Sequence, residues 1–129
     1  MKKVLTFVAI CLMSLQIATA QNSSQKFFVQ EQMPQFVGGE EALVDWIENN
    51  ISYPLTADIN SIEGRVVVSF DINEDGTIGN IQEEESADPI LAEEVISRLQ
   101  LMPQWIPAIQ NGRNVKVRYT LPIYFYLTF

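Results

Sequence analysis

The last fifteen residues alternate strictly between apolar and more polar side chains. Odd positions from 115 to 129 read Val, Val, Tyr, Leu, Ile, Phe, Leu and Phe, whereas the even positions read Lys116, Arg118, Thr120, Pro122, Tyr124, Tyr126 and Thr128. A period of two places successive side chains on opposite faces of a β-strand. The alternation therefore predicts a strand with one buried face and one face that is exposed or meets a partner.

A second alternating segment begins at Gly64 and predicts another strand with one buried face. Its apolar positions are Val66, Val68, Phe70 and Ile72, and they alternate with Arg65, Val67, Ser69 and Asp71. An Asp-Gly turn at residues 73–76 and a further strand from Thr77 to about Glu85 complete an antiparallel hairpin. Ile78 and Ile81 are three positions apart, so we expect a β-bulge at Gly79-Asn80 to bring both onto one face.

Two segments show the apolar spacing of amphipathic helices. The first runs from about residue 39 to 49, and Tyr53-Pro54 lies just beyond its end because the residue before proline avoids helical geometry. The second begins at Pro89, a favoured first helical residue, with Asp88 as its N-cap. This second helix presents one apolar stripe, formed by Leu91, Val95, Leu99 and Met102.

These elements predict an α+β domain in which two helices pack on one face of a three-stranded sheet. A right-handed crossover from the second strand through its helix makes the last strand parallel to the second. The first strand then lies between them, so the order across the sheet is second, first, third. The last strand is therefore at the edge, where Pro122 is tolerated because its missing N–H would point to solvent.

The N-terminus has the layout of a secretory signal. Lys2 and Lys3 precede an apolar run from Val4 to Ile17, and the small residues Ala18-Thr19-Ala20 suit a cleavage site. We therefore expect cleavage after Ala20 and an exported protein. Retention of the apolar run as a membrane anchor is the alternative, although the run contains polar residues and ends like a processed signal.

The signal divides the chain into a signal peptide over 1–20, a short leader over 21–33 and one domain over 34–129. The roughly 109 residues after the signal suffice for one hydrophobic core but not for two. Cys11 is the sequence's one cysteine and leaves with the signal, so no disulfide is expected in the domain. Loss of Lys2 and Lys3 takes the formal net charge from −8 to about −10, which disfavours nucleic acid and anionic membrane surfaces as partners.

One segment imitates the start of a calcium-binding loop. Asp71, Asn73 and Asp75 alternate before Gly76, but Gln82 stands where such a loop needs glutamate. Strands are also predicted on both sides of the segment, where the calcium loop requires helices. We therefore predict a tight hairpin turn and no metal site.

Catalytic chemistry is not expected either. The sequence has no histidine, and without Cys11 the usual pairs of nucleophile and base cannot be assembled. Glu83 to Glu85, with Glu93 and Glu94, form a charge run that is typical of a solvated face. The sequence therefore predicts a protein that is not an enzyme and has no cofactor.

Several short motifs follow one another with family-like order and spacing over residues 34–127. They are Phe36-Val37-Gly38-Gly39-Glu40-Glu41-Ala42-Leu43, Tyr53-Pro54-x-x-Ala57, Ile62-x-Gly64-Arg65-Val66, Asp75-Gly76-Thr77-Ile78, Asp88-Pro89, Met102-Pro103-x-Trp105-x-Pro107 and Val115-x-Val117-x-Tyr119-Thr120-Leu121-Pro122. Each motif alone also marks ordinary turns and strands. Together they make the chain resemble the C-terminal, receptor-contacting domain of the TonB energy-transducer family.

The resemblance implies a periplasmic module that binds a short extended segment, the TonB box, of an outer-membrane transporter. The segment adds as a strand to the edge formed by the last strand, so main-chain hydrogen bonds supply the affinity. The resemblance also implies contacts from the segment that leads into Tyr-Pro. The residues that we expect to bind the peptide are therefore Asn49, Asn50, Ser52, Tyr53, Pro54, Lys116, Arg118, Thr120, Tyr124 and Tyr126.

A different reading of the same edge remains open at this point. The last strand could pair with its own copy and give a structural homodimer, since an unpaired edge is a template for any other strand. The role of Tyr53 also stays open between packing in the core and binding the peptide. A full transducer of this family also has an uncleaved anchor and a long spacer, so we do not expect this chain alone to transduce energy.

Overall fold

The computed structural model describes residues 2–6 and 31–127. The strands are β1 Lys2–Thr6, β2 Gly64–Ile72, β3 Ile78–Ser86, β4 Ala108–Gln110, β5 Arg113–Val115 and β6 Val117–Leu127. The helices are α1 Glu40–Asn50, α2 Leu55–Ile59 and α3 Pro89–Leu99. The expected cleavage site after Ala20 and most of the leader lie outside the described residues.

The main sheet has the order β1-β6-β2-β3, and each neighbouring pair of strands is antiparallel. The predicted α+β fold and its three-stranded order are therefore confirmed: β3 is the second strand of the prediction, β2 the first and β6 the last. Because β2 lies between β3 and β6 and is antiparallel to both, β3 and β6 run parallel. The crossover through α3 connects them as expected.

Strand β1 is an addition to the predicted sheet. Residues 2–6 pair with β6 from Lys2 opposite Leu127 to Thr6 opposite Ile123. These residues belong to the segment that we expect to be removed as a signal. Strand β6 therefore lies between β1 and β2 in the described structure, and β1 covers residues 123–127 of the edge that the sequence predicts for the last strand.

The β2–β3 hairpin contains the expected irregularity. The pairing between the two strands shifts between Ser69 and Asp71, and Asn80 has a φ of 52°, which is consistent with a bulge. Ile78 and Ile81 both pack against the core as a result. The predicted bulge is therefore confirmed.

Helix α3 begins as its sequence predicts. The Asp88 carboxylate accepts a hydrogen bond from the Ile90 N–H at 3.0 Å, and Pro89 is the first helical residue. Its apolar stripe, formed by Leu91, Val95, Leu99 and the following Met102, is buried. Helix α1 differs, because Gly39 precedes it without a side-chain cap.

The core lies between the helices and one face of the sheet. It contains Val66, Val68, Phe70 and Ile72 of β2 and the odd positions 117–125 of β6, and Val68, Phe70 and Leu121 have no exposed surface. Leu43 and Ile47 of α1 cover them from the helix side. Within the described residues this core runs from Phe36 to Phe125, so residues 31–127 hold a core of their own.

The sequence did not predict two small features. Helix α2 has five residues, and the two-stranded sheet formed by β4 and β5 has three residues in each strand. The turn between β4 and β5 consists of Asn111 and Gly112, which both have positive φ angles. Elements this short contain too few residues to show a periodic pattern of apolar side chains.

Candidate peptide-binding edge

Strand β6 presents its even-numbered side chains on the face of the sheet that the helices leave open. Arg118, Thr120, Pro122, Tyr124 and Tyr126 are half-buried, whereas the odd positions from Val117 to Phe125 are buried. Lys116 comes just before the strand and is exposed. The predicted phase of the alternation is therefore confirmed.

The main chain of β6 has a second alternation, which decides where its hydrogen-bonding groups point. The Arg65 carbonyl accepts from the Ala87 N–H, so the main chain of Arg65 faces β3. Val66 then faces β6, and its partner Ile123 faces β2. The Leu127 N–H also points toward β2, because it donates at 2.6 Å to the carboxylate of Glu63, the residue that precedes β2.

It follows that even-numbered residues of β6 direct their N–H and C=O groups away from β2. The register between β2 and β6 runs without a shift from Phe125 to Val117, so the alternation holds along this length. The outward N–H groups belong to Arg118, Thr120, Tyr124 and Tyr126. Pro122 occupies an outward position and has no N–H to offer.

The Arg118 side chain is held within the protein. Its guanidinium donates to the Asp71 carboxylate at 2.9 Å, to the Ser69 hydroxyl at 2.9 Å and to the Asn80 carbonyl at 2.7 Å. Ser69 is only 2% exposed and donates in turn to Glu84 at 2.5 Å. Reversing the charge of Arg118 would therefore disturb three strands and is not a clean test of peptide binding.

Tyr124 lies at the other half of the strand, opposite Arg65 of β2. Arg65 forms an ion pair with Glu85 at 2.6 Å, and hydrogen bonds to Glu85 and then to Tyr124 raise the pKa of Arg65. Tyr126 follows on the same face. This half of the open face therefore has two half-exposed aromatic rings beside the Arg65–Glu85 ion pair, whose two charges offset each other.

The segment from Asn49 to Pro54 ends α1 and approaches the C-terminal half of β6. Asn49 and Asn50 are exposed, and the Ser52 N–H donates to Glu94 at 2.9 Å. Tyr53 is buried, with its ring edge-on to Phe125 at a centroid distance of 5.5 Å. Its hydroxyl donates to the Ile62 carbonyl, and burial, with the charges of Glu63 and Asp58, raises the pKa of Tyr53.

The structure therefore divides the predicted binding residues into two groups. Asn49 to Pro54, Tyr124 and Tyr126 lie around the C-terminal half of β6. Arg118 and Lys116 lie toward its other end, about 23 and 30 Å from Phe125 at the usual rise of a strand. Thr120 and Pro122 lie between the two groups.

Three residues of the predicted acidic run have structural partners. Glu84, Glu85 and Glu94 bind Ser69, Arg65 and Arg98 respectively. In the calcium-like turn, Asp71 pairs with Arg118, whereas Asp75 accepts from Thr77, whose hydrogen bonds lower the pKa of Asp75. Within residues 2–6 and 31–127, no group of His, Cys, Asp or Glu is arranged to hold a metal ion.

A cavity of about 500 Å³ lies beside the segment that leads into α1. Phe36, Leu43, Trp105 and Tyr119 line it. Trp105 is buried and contacts the rings of Phe36 and Tyr119 at 5.5 and 4.8 Å. Trp105 therefore packs in the core.

The fold and the edge together define a class of protein: a small α+β domain whose last strand offers main-chain groups to another strand. A sequence model of the Gram-negative bacterial TonB protein C-terminal family matches residues 49–127. The chain belongs to the TonB C-terminal domain family. Domains of this family are non-enzymatic interaction modules of the periplasm, and the family links the chain to TonB-related transport.

Two solved structures support the assignment. The NMR structure of the TonB C-terminal domain from Helicobacter pylori is 30% identical in sequence, with a TM-score of 0.50, and the match covers 66% of this chain and 77% of that one. The corresponding domain from Pseudomonas aeruginosa is 32% identical, with a TM-score of 0.50 and coverage of 60% and 79%. No curated protein matches the chain. Among the described helices, none is long and apolar enough to cross a membrane.

Proposed function

We propose that this chain is a periplasmic binding module that takes up an extended segment of an outer-membrane transporter, the TonB box, as an added strand on β6. The observation that carries the proposal is the row of outward main-chain groups on β6. Such a row binds extended peptides through hydrogen bonds that depend little on sequence, and neighbouring side chains supply selectivity. Tyr53 packs against Phe125 on the buried face of β6 and so supports the strand that forms the site.

Export is part of the proposal. Cleavage after Ala20 removes β1 together with the signal and uncovers the edge of β6 that β1 occupies. The mature chain then begins at Gln21. The intact mass of protein isolated from the periplasm tests this step, and recovery of residues 1–20 in a membrane fraction would support the anchor instead.

The proposed role is binding without catalysis. The carboxylates of Glu85, Asp71 and Glu84 are engaged by Arg65, Arg118 and Ser69 respectively. Acids that are engaged in this way stabilise the sheet. No cofactor is part of the proposal.

Peptides methylated on main-chain nitrogen test strand addition without any change to the protein. In one peptide the residues opposite Tyr124 and Tyr126 carry the methyl groups, and in the control peptide the residues opposite Ile123 and Phe125 carry them. Only the first set directs N–H groups at β6. We expect the first peptide to lose binding and the control to keep it, and equal affinities of the two would contradict strand addition.

A structural homodimer is the second candidate, and the register of β1 favours it. The edge of β6 already accepts an antiparallel strand, and two copies of β6 related by a two-fold axis would also be antiparallel. Sedimentation of the mature protein over a range of concentrations separates the candidates. A dimer that persists with saturating transporter peptide would support the structural role.

A further inference from the structure

We propose that Pro122 limits the added strand, so that a partner pairs antiparallel with residues 123–127 and does not continue past Pro122. The inference rests on the proposed function and deepens it. It specifies the direction of the partner, the length of the pairing and the side chains that the partner needs.

The described structure contains one strand in this position. Strand β1 pairs antiparallel with β6, from Lys2 opposite Leu127 to Thr6 opposite Ile123. The next residue of β6 is Pro122. This edge therefore accommodates an antiparallel main chain along residues 123–127.

The hydrogen-bonding groups of β6 explain the limit. On the C-terminal side of Pro122, the outward N–H groups of Tyr124 and Tyr126 are two residues apart, as a regular ladder requires. A strand that crossed Pro122 would place a carbonyl opposite a position without a donor. That carbonyl of the partner would lose its hydrogen bond. The next outward N–H on β6 beyond Pro122 belongs to Thr120.

The faces of β6 determine the side chains that suit the partner. Directly opposed residues of an antiparallel pair lie on the same face. Ile123 and Phe125 are buried on the face that the helices cover, and α1 lies against β1. The partner residues opposite Ile123 and Phe125 should therefore be apolar, whereas those opposite Tyr124 and Tyr126 lie on the open face and can be polar.

Charge adds a further preference. The chain has 16 acidic and 8 basic residues, so an acidic segment would approach a surface of its own sign. The segment that pairs in the structure reads Lys-Lys-Val-Leu-Thr and contains no acid. We therefore infer a partner that is a neutral or basic extended segment with apolar residues at alternate positions.

Amide hydrogen exchange of the domain over residues 21–129, which contains the whole described core, tests the inference. The probe is a blocked peptide with the sequence of residues 2–9, which is long enough to reach past Pro122. At saturation we expect slowed exchange at Tyr124 and Tyr126 and unchanged exchange at Thr120 and Arg118. Slowed exchange at Thr120 or Arg118, or at no residue of β6, would overturn the proposed limit.

Pro122→Thr restores the missing N–H and should extend the slowed exchange to residues 122 and 120. Pro122→Ala restores the same N–H with a smaller side chain and provides a second variant if the first folds poorly. Val67→Thr is the matched control, because Val67 lies opposite Pro122 on β2 and its substitution leaves the edge donors unchanged. Wild-type exchange in both proline variants would overturn the inference.

The same measurement separates this inference from the proposed function. A transporter peptide that slows exchange along β6 from Arg118 to Tyr126 would preserve strand addition and overturn the limit at Pro122. Loss of strand addition itself would instead appear as equal affinities of the two methylated peptides.

Discussion

Arg118 extends from β6 across the open face of the sheet to β2 and β3, so three strands share its guanidinium. The side chains of Arg118 and Asp71 are 26% and 18% exposed, and Ser69 is almost fully withdrawn from water. Hydrogen bonds to charged groups in such surroundings contribute more than exposed ion pairs do. Arg118 therefore stabilises the sheet on the side of Pro122 where our proposed added strand does not extend.

Arg118→Ala should lower the free energy of unfolding by about 2 kcal/mol, because Ser69 and Asp71 lose a charged donor. Lys116→Ala is the matched control on the same side of the strand and should change it by no more than about 0.5 kcal/mol. Urea unfolding measures both. Similar midpoints for the two variants would mean that the Arg118 network contributes little.

Tyr53 should make stability depend on alkaline pH. Its pKa in the folded protein is raised above the ordinary value of 10.0, first by burial and then by Glu63 and Asp58. The folded state therefore favours the neutral phenol, and this contribution is complete below pH 10 and is lost as the pH rises toward the folded pKa.

Tyr53→Phe should remove the part of the alkaline loss of stability that comes from ionisation of the Tyr53 phenol. At neutral pH it should cost about 1 kcal/mol, because the Ile62 carbonyl loses its donor. Tyr126→Phe makes the same chemical change on the open face and is the control. Denaturant unfolding between pH 7 and 11 compares them, and parallel profiles for Tyr53→Phe and the unmodified protein would contradict the account.

At the scale of elements, the turn between β2 and β3 is fixed by residues that lie far along the chain. The Trp105 N–H donates to the Gly76 carbonyl at 2.8 Å, and the Asn114 side chain donates to the Glu74 carbonyl at 3.0 Å. Gly76 has a φ of 88°, and a Cβ added there would lie 2.0 Å from the Trp105 carbonyl oxygen. The hairpin turn therefore fits against the segment after α3 only with glycine at this position.

Gly76→Ala should destabilise the domain far more than Gly112→Ala. Both glycines have positive φ angles, but a Cβ on Gly112 would meet nothing within 4 Å. We expect a loss of about 1 kcal/mol for Gly112→Ala from backbone strain alone, and about 2 kcal/mol or more beyond that for Gly76→Ala from the clash. Thermal melts of the two variants provide the comparison, and equal losses would show that Trp105 moves away freely.

The long elements could be predicted from the sequence because their signals are local. Alternation defines β2 and β6, and Asp88-Pro89 marks the start of α3. Helix α2 and strands β4 and β5 are too short to show a period, and their positions depend on contacts with distant residues. Ile109 of β4, for example, exchanges main-chain hydrogen bonds with Gln32.

The candidate site could be predicted only in part for a similar reason. Alternation placed Tyr124 and Tyr126 on the correct face of β6. The binding of Arg118 to Asp71 joins residues 47 positions apart and depends on the register between β2 and β6. No local pattern contains that register, so Arg118 resembled an exposed charge.

At the scale of the whole molecule, the helices cover one face of the sheet. Strand β2 lies between β3 and β6, and the side of β6 away from β2 is the edge considered for binding. In the full chain β1 occupies part of that edge, and in the mature chain we propose that a transporter segment takes its place. The central claim is therefore that the outward main-chain groups of β6 are the contact.

An NMR titration of the isotope-labelled mature domain with transporter N-terminal peptides tests this claim most directly. Each backbone amide reports its own surroundings, so the shifts locate the contact by residue. We predict that the largest shifts fall at Tyr124 and Tyr126, with smaller ones around Tyr53, while the segment from Glu83 to Glu94 remains unchanged. Shifts confined to Glu83 to Glu94, with β6 silent, would contradict strand addition and assign binding to the acidic face.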